Sequence, residues 1–572
     1  MDTIKVINAT TKNLKNVSIE IPLNQFVVLV GKSGSGKSTL AVDVIIGSYL
    51  NKNENANVPL IPALFKQRIT GLAQKCSLLK YLNKKENADY LKLSFKDYLH
   101  KVKMRSKFTA RQIEFIASKF NVIHTNLNKS ISEMSLTEYN KFRFLQLLMN
   151  SNAQLFIIDE LGAGMLAEEA FSVAEVLKYV VSLGYSIISI EHSMPIITAA
   201  DYIIEMGPGA GTQGGKVIFN GLMKDYKKTS SWQSMVAIFN KKLPPNRGSG
   251  KTITVEDINY RNFSSFNLSI PLGSVVAICG GMGSGKSTLI DIIFRAFDKS
   301  ANAWKNKDGI NGAITGKNYI RRPYIIDQTP IGNNSMSTPA TYIGLMDGLR
   351  NFYLTSEENS RWNLSKSDFS YNASGKCLAC GGKGCVEIDA NDEIIYLACK
   401  ACNGSRYTKS IDSVRDNGMS IGNALQTTCA DLYKIYLLDK RKFALNLKIG
   451  FLNKVGLSYL TLGQPSGSLS GGESQRIKIT KELAKKLGDR CLFILDSPAK
   501  DLHVDDFAGM MSVLKQLVDK KNSIIICENQ PFFVNNSDWV IFLDNGKVSF
   551  QGRPEALPVR LKKKLGAEMD FQ

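Results

Sequence analysis

Two copies of one glycine-rich loop decide what this chain can fold into. Gly31-Lys32-Ser33-Gly34-Ser35-Gly36-Lys37-Ser38-Thr39 and Gly280-Gly281-Met282-Gly283-Ser284-Gly285-Lys286-Ser287-Thr288 both fit the Walker A phosphate-loop pattern. Gly31, Gly34 and Gly36, with Gly280, Gly283 and Gly285, let the main chain wrap tightly enough to aim several amides at phosphate oxygens. The helix that follows adds its positive end. Lys37 and Lys286 supply point charges, and Ser38 and Ser287, followed by Thr39 and Thr288, offer hydroxyls to magnesium. ATP and Mg2+ are the implied cofactors.

The loops sit inside a longer duplication. Leu14-Lys15-Asn16-Val17-Ser18-Ile19-Glu20-Ile21-Pro22-Leu23 recurs as Phe263 to Leu272, which ends Ser269-Ile270-Pro271-Leu272. Roughly 250 residues separate Lys37 from Lys286 and about 337 separate Asp159 from Asp496, so the second copy carries roughly 90 extra residues in its middle. Apolar, β-branched runs precede each loop, Phe26 to Val30 and Val275 to Cys279. Similar runs recur at Leu155 to Ile158, Ser186 to Ile190, Leu492 to Leu495 and Ser523 to Ile526. Runs of this kind, spaced by helix-length segments, predict buried parallel strands and an α/β fold with one mainly parallel sheet per half. Pro244 to Gly250 reads as the linker. The expected halves are 1–245, with a helical insert at about 68–134, and 246–572, with an insert at about 340–468.

Leu469-Ser470-Gly471-Gly472-Glu473-Ser474-Gln475-Arg476 resembles the ABC signature, a serine hydroxyl and glycine amides at a helix start. In that family it caps the γ-phosphate of a nucleotide held by the opposite half. Cys491 to Asp496 follows as a Walker B strand ending in a magnesium-binding aspartate. Leu155-Phe156-Ile157-Ile158-Asp159-Glu160 repeats this in the first half and adds the acid expected to orient the attacking water. Three further stretches narrow the family. They are Tyr324 to Gly332 running on to Pro339-Ala340-Thr341-Tyr342, Ala200 to Gly211 followed by Gly214-Gly215, and Leu462-Gly463-Gln464-Pro465. Together they resemble the UvrA family, the DNA-damage-sensing ATPases of the bacterial excinuclease. The resemblance spans nearly the whole chain and is weak between about Leu50 and Met149. It implies tandem ABC-type P-loop ATPase domains with helical signature subdomains and a zinc-binding hairpin module in the second half.

Ten cysteines are present, four of them in two close pairs, Cys377-Leu378-Ala379-Cys380 and Cys399-Lys400-Ala401-Cys402. This spacing fits a structural four-thiolate Zn2+ site with no open coordination position. Its flanks resemble the family's zinc module, which supports a DNA-contacting hairpin. Cys279, Cys491 and Cys527 lie in or beside strand runs and read as core. A net charge of +21 favours a polyanionic partner. Lys376, Lys383, Arg406, Arg361 and Lys366 are candidate phosphate contacts, while Asp368 replaces a residue that is usually basic in the family. Hydrophobic residues at 44% and charged residues at 22% exclude a disordered chain. No long apolar run and no leader-like start are visible, so a cytoplasmic location without membrane contact is expected.

The ABC arrangement sandwiches each nucleotide between one half's phosphate loop and the other half's signature. The first site should combine Lys37, Ser38, Gln67, Asp159, Glu160 and His192 with Ser470, Gly471 and Gly472. Gln67 occupies the Q-loop position and His192 the switch position. The second should combine Lys286, Ser287, Gln328 and Asp496 with a first-half signature reading Met134-Ser135-Leu136-Thr137-Glu138, without glycines. Ser497 stands where the catalytic glutamate belongs, Asn529 replaces the switch histidine, and Asp501 replaces a D-loop glycine. All four departures are expected in or beside the second site. That site should bind ATP with little hydrolysis while the first turns over.

Only about 67 residues lie between Gln67 and Ser135, too few for the first zinc module, the partner-binding domain and the insertion domain of a full-length UvrA. Leu79 to Arg111 reads as basic helices with an apolar face. The family resemblance implies double-stranded DNA, damaged or drug-modified, as partner. It leaves a homodimer open and gives no ground for a UvrB-type partner. The competing readings are a soluble ABC ATPase acting in translation and a nucleotide-switched scaffold without repair activity.

Overall fold

The structure is a computed structural model describing residues 2–47, 69–72, 107–120, 136–150, 153–246, 248–281, 283–297, 311–332, 334–390, 393–485 and 490–566. Gln67, Cys76, Met134, Ser135 and most of Leu79 to Arg111 lie outside these residues.

Each half is built on a six-stranded sheet of the same plan. In the first, the order is Ile69–Leu72, Leu155–Asp159, Ser186–Ile190, Phe26–Val30, Tyr202–Gly207 and Lys216–Leu222, with only the last strand antiparallel. In the second it is Arg322–Ile326, Cys491–Asp496, Ser523–Cys527, Val275–Gly280, Trp539–Asp544 and Lys547–Gly552, with the same single reversal. The strands entering the phosphate loops are buried along their whole length, as uniformly apolar runs require. Lys216–Leu222 alternates exposed and half-buried residues, as an edge strand facing water on one side should. An antiparallel pair, Thr3–Ala9 with Val17–Pro22, leads into the first sheet, and Thr252–Tyr260 with Phe263–Pro271 leads into the second.

Cross-half packing joins the two units. The helix Ser230–Phe239 lies against Val504–Asp519, and the helix Val559–Leu565 lies against Ala167–Ser182. The expected linker is docked on the second half. Lys515 Nζ donates to the Pro244 carbonyl at 2.6 Å, and the Asn246 amide donates to Asp538 at 2.7 Å. The insert of the second half holds the helices Met346–Leu354, Cys429–Leu437 and Phe443–Lys454 and the hairpin Cys385–Ala390 with Glu393–Ala398. Cys279, Cys491 and Cys527 are buried.

Candidate nucleotide sites and metal centre

The two phosphate loops have one shape. Gly31, Gly34 and Gly36 have φ values of 132°, 76° and 107°, and Gly280, Gly283 and Gly285 have 149°, 71° and 105°. A side chain at Gly31 or Gly280 would collide with the Met206 or Leu543 carbonyl, so both positions need glycine twice over. Lys37 Nζ donates to the Gly31 and Lys32 carbonyls at 2.6 and 2.9 Å, and Lys286 repeats this on Gly280 and Gly281 at the same distances. Ser38 and Ser287 are exposed at the helix starts, where a metal-bound phosphate would meet them, beside Thr39 and Thr288.

The residues after the Walker B strands also match pairwise. Glu160 and Ser497 both adopt left-handed conformations, φ 53° and 51°, and their amides donate to the Ile190 and Cys527 carbonyls, each at 2.9 Å. Glu191 and Glu528 follow the same pattern on Leu29 and Ile278. His192 and Asn529 are therefore equivalent positions with different side chains.

In the first site, His192 Nε2 stands 3.6 Å from Glu160 Oε1. Burial holds the His192 imidazole well below its usual value, with the positive charge of Lys37 acting in the same direction, so the ring is neutral. Burial also draws Lys37 down to about 8, against the pull of Glu160, Asp159 and Asp501. Glu160 is raised well above the carboxylate range, first by burial and then by Asp501.

The last contact corrects the sequence reading. Asp501, φ 58°, is carried by the second half's D-loop across the interface to Glu160 and Lys37. It belongs to the first site, because the loop after a Walker B strand crosses to the opposite phosphate loop. Other second-half groups arrive there too. The His503 ring lies 6.1 Å from that of His192, edge to face, and Asp505 pairs with Lys32 at 3.1 Å.

The start of the signature helix is linked to the first phosphate loop through Tyr459. Ser470 caps the helix Gly471–Ala484 in a reciprocal box, its Oγ accepting from the Glu473 amide at 3.2 Å while Glu473 accepts from the Ser470 amide at 2.8 Å. The Tyr459 hydroxyl bonds to Glu473 and stands 3.1 Å from Ser33 Oγ in the first phosphate loop. Gly472 lies against Asp501 and Lys500. No sequence signal marked Tyr459 or His503, because their contacts come from the meeting of the halves.

The second site is arranged differently. Asn529 accepts from the Gly280 amide at 3.0 Å and donates to the Gly280 and Gly164 carbonyls at 3.1 and 3.2 Å, bridging its own phosphate loop to the first half's D-loop. Asp496 is exposed, with Ser497 Oγ donating to it at 3.2 Å. Gln328 accepts from Lys500 Nζ at 3.2 Å and lies over Gly471, placing it at the signature helix of its own half. The helix after the first-half signature is described from Leu136 onward.

The four paired cysteines converge. Their Sγ atoms all lie within 4.8 Å of one another, and Cys380 and Cys402 are 3.8 Å apart. Four Zn–S bonds of about 2.3 Å in a tetrahedron require sulfur separations of about 3.8 Å, so the donor set fits zinc. Arg406 gives a second indication. Its side chain is buried, and its guanidinium donates to the Gly463 carbonyl at 3.1 and 2.7 Å, to Ser335 at 3.0 Å and to Gly382 at 3.2 Å, with none of these bonds going to a carboxylate. Burial lowers the guanidinium from its usual value, opposed by the neighbouring Tyr371, Cys385 and Cys380. Zinc held by four thiolates would carry two negative charges, and this cation would lie beside them as a counter-ion. Arg406 is therefore no phosphate contact, contrary to the sequence expectation. Its rigid fork is spent on holding the cysteine module to the segment before the signature. Lys376, Lys383, Arg361 and Lys366 are exposed. Asp368 accepts from the Ser365 amide and hydroxyl at 2.9 and 2.7 Å and serves a turn.

The ABC transporter family model matches residues 14–163. UvrABC system protein A of Thermus thermophilus is 34% identical over 449 residues, covering 76% of this chain and 47% of that protein. The protein of the same name from Bacillus subtilis is 32% identical over 454 residues, covering 77% and 47%. The chain belongs to the UvrA family. It spans about half the length of the curated relatives it matches. Among solved structures, UvrA2 from Deinococcus radiodurans is similar with a TM-score of 0.77 over 99% of both chains at 20% identity. A model of ribosome-bound archaeal Pelota and ABCE1 is similar with a TM-score of 0.53 at 14% identity, over 99% of this chain and 81% of that one. These two likenesses concern the fold, and the first is the closer of the pair. Among the described residues no helix is long and apolar enough to cross a membrane.

Proposed function

We propose that this UvrA-family chain is an ATP-gated DNA-binding protein that senses modified duplex and hydrolyses ATP at its first composite site only. The observation that carries the asymmetry is the pair of matched backbone positions, Glu160 and His192 in one half against Ser497 and Asn529 in the other. Lys37 would hold the β- and γ-phosphates, while Ser38 and Asp159 would hold magnesium, which supplies charge neutralisation on the transferring phosphoryl group. Glu160 would orient the attacking water, and neutral His192, 3.6 Å away, would accept or donate a hydrogen bond without adding charge. Ser470 and the Gly471–Gly472 amides close the site from the other half. At the second site Ser497 offers no carboxylate to orient water, so nucleotide bound by Lys286 and Ser287 would persist.

DNA is the partner favoured by the family, by the net charge of +21 and by exposed Lys376, Lys383, Arg361 and Lys366 around the cysteine module. These are phosphate-type contacts, so discrimination of modified duplex would be indirect, through deformability. Zinc would be the module's structural ion, and a homodimer would be compatible with this reading. The test is duplex binding with and without a lesion, at several salt concentrations, with ATP or a non-hydrolysable analogue. Salt-dependent binding with a nucleotide-dependent preference for modified duplex supports the proposal. Equal, nucleotide-independent binding overturns it, and co-sedimentation with ribosomes would favour a role in translation.

A further inference from the structure

We propose that Tyr459 is a positioning residue for the first nucleotide site, its hydroxyl setting the signature serine of the second half against the phosphate loop of the first. The inference rests on the reading of that site as the hydrolytic one. Tyr459 lies outside every nucleotide-binding motif, ten positions before the signature begins at Leu469. Its ring nevertheless packs on the first phosphate loop. A carbon added to Gly34 would come within 2.8 Å of that ring, and one added to Gly211 within 3.2 Å of the Tyr459 carbonyl.

The hydroxyl joins the first phosphate loop to the capping box of the signature helix, beside the Lys32–Asp505 ion pair that also crosses between the halves. It stands 3.1 Å from Ser33 Oγ and donates to Glu473 Oε1. The other oxygen of Glu473 accepts from the Ser470 amide at 2.8 Å, and Ser470 Oγ accepts from the Glu473 amide. A continuous chain of hydrogen bonds therefore runs Ser33, Tyr459, Glu473, Ser470, from phosphate loop to signature. Burial and the neighbouring Glu473 carboxylate both raise the phenol well above its usual range, so the hydroxyl keeps the proton it donates.

The mount is stiff. The Ser458 and Leu460 carbonyls accept from the Ala430 and Cys429 amides, each at 2.8 Å, and the Gly463 amide donates to Leu425 at 2.7 Å. Leu460 and Leu462 are buried, and Arg406 grips the Gly463 carbonyl with two N–H groups. A phenol on such a segment has little freedom beyond its two side-chain torsions. Losing the hydroxyl leaves the Ser470–Glu473 box intact, since those two residues satisfy each other. What is lost is the register between the halves. That register matters when the signature closes on nucleotide, whereas initial capture depends on the phosphate loop of one half.

The test compares the wild-type chain with Tyr459→Phe, which keeps the packed ring. The measurements are equilibrium binding of a fluorescent ATP analogue, steady-state ATPase and thermal unfolding. The expected result is a kcat about fivefold lower, the worth of one hydrogen bond, with nucleotide affinity unchanged and the unfolding temperature lowered by no more than the loss of that same bond. Ser33→Ala should add no further loss in the Tyr459→Phe background, because both remove the same link. Wild-type kcat in Tyr459→Phe, additive losses in the double variant, or a parallel fall in affinity and unfolding temperature would each overturn the proposal. If wild type hydrolyses no ATP, the reading of the site fails instead. Tyr459 is then judged by hydrogen exchange in the helix Gly471–Ala484 with a non-hydrolysable analogue bound. Protection gained by wild type and lost in Tyr459→Phe supports its role, and equal protection overturns it.

Discussion

Arg406→Lys separates a structural cation from a DNA contact, because it keeps the charge and removes the fork. In the structure the guanidinium makes four N–H···O contacts with three main-chain carbonyls and stacks 5.0 Å from the centre of the Tyr371 ring. Hydrogen bonds from a charged donor contribute about 1.5 to 3 kcal/mol each, and a carbonyl left buried without a partner costs about 1 to 3 kcal/mol. A lysine on the same backbone can reach one of the three carbonyls, which leaves two orphaned. Allowing for non-additivity, the module should lose about 3 kcal/mol. That is a large fraction of the roughly 5 to 15 kcal/mol that holds a typical domain together. Hydrogen exchange read across residues 377–407 measures this directly, with faster exchange expected there than in either ATPase sheet. Exchange unchanged within about 0.5 kcal/mol, as expected for a surface lysine replacing a surface arginine, would refute the structural assignment.

Asp501→Gly should raise kcat/KM for MgATP by about fivefold or more. It removes a carboxylate beside Glu160 and the approaching phosphates, and relieves a left-handed φ of 58°; an unchanged or lower value would show that the aspartate assists the reaction. Glu191 is buried and pushed up to about 8 from an ordinary value of 4.5, mainly by burial. The folded chain therefore keeps a proton that the unfolded chain releases, and this contribution to stability falls as pH rises from about 4.5 to 8. Glu191→Gln should accordingly gain on wild type by on the order of a few kcal/mol over that window in urea titrations, and parallel curves would contradict the burial argument. Purified protein should release one zinc per chain to a colorimetric chelator after thiol modification, and Cys380→Ser should release none. Equal release by both would place the metal elsewhere.

Much of this architecture was legible because it is written twice. The phosphate loops and the apolar strands carry local signals, and a repeated unit places them in equivalent sheets. The cysteine pairs were equally readable, since two Cys-x-x-Cys knuckles allow few other geometries. The D-loop was harder. Asp501 is recognisable as a departure from glycine, yet which pocket it enters depends on how the halves face each other, and one polypeptide gives no local sign of that. Arg406 misled for a related reason. An arginine among lysines near a zinc module reads as surface charge until its three carbonyl partners, spread from Ser335 to Gly463, are brought together by the fold. Tyr459 had no signal at all, because its meaning lies in a contact across more than four hundred residues with Ser33.

The most direct test of the unequal sites is the steady-state ATPase rate of Glu160→Gln, measured with MgATP binding as control. Confinement of hydrolysis to the site formed by Lys37, Glu160 and the Ser470 signature predicts a fall of about a hundredfold or more with nucleotide still bound. Turnover at the wild-type rate would place the working chemistry elsewhere and contradict the pairing of the two halves described above.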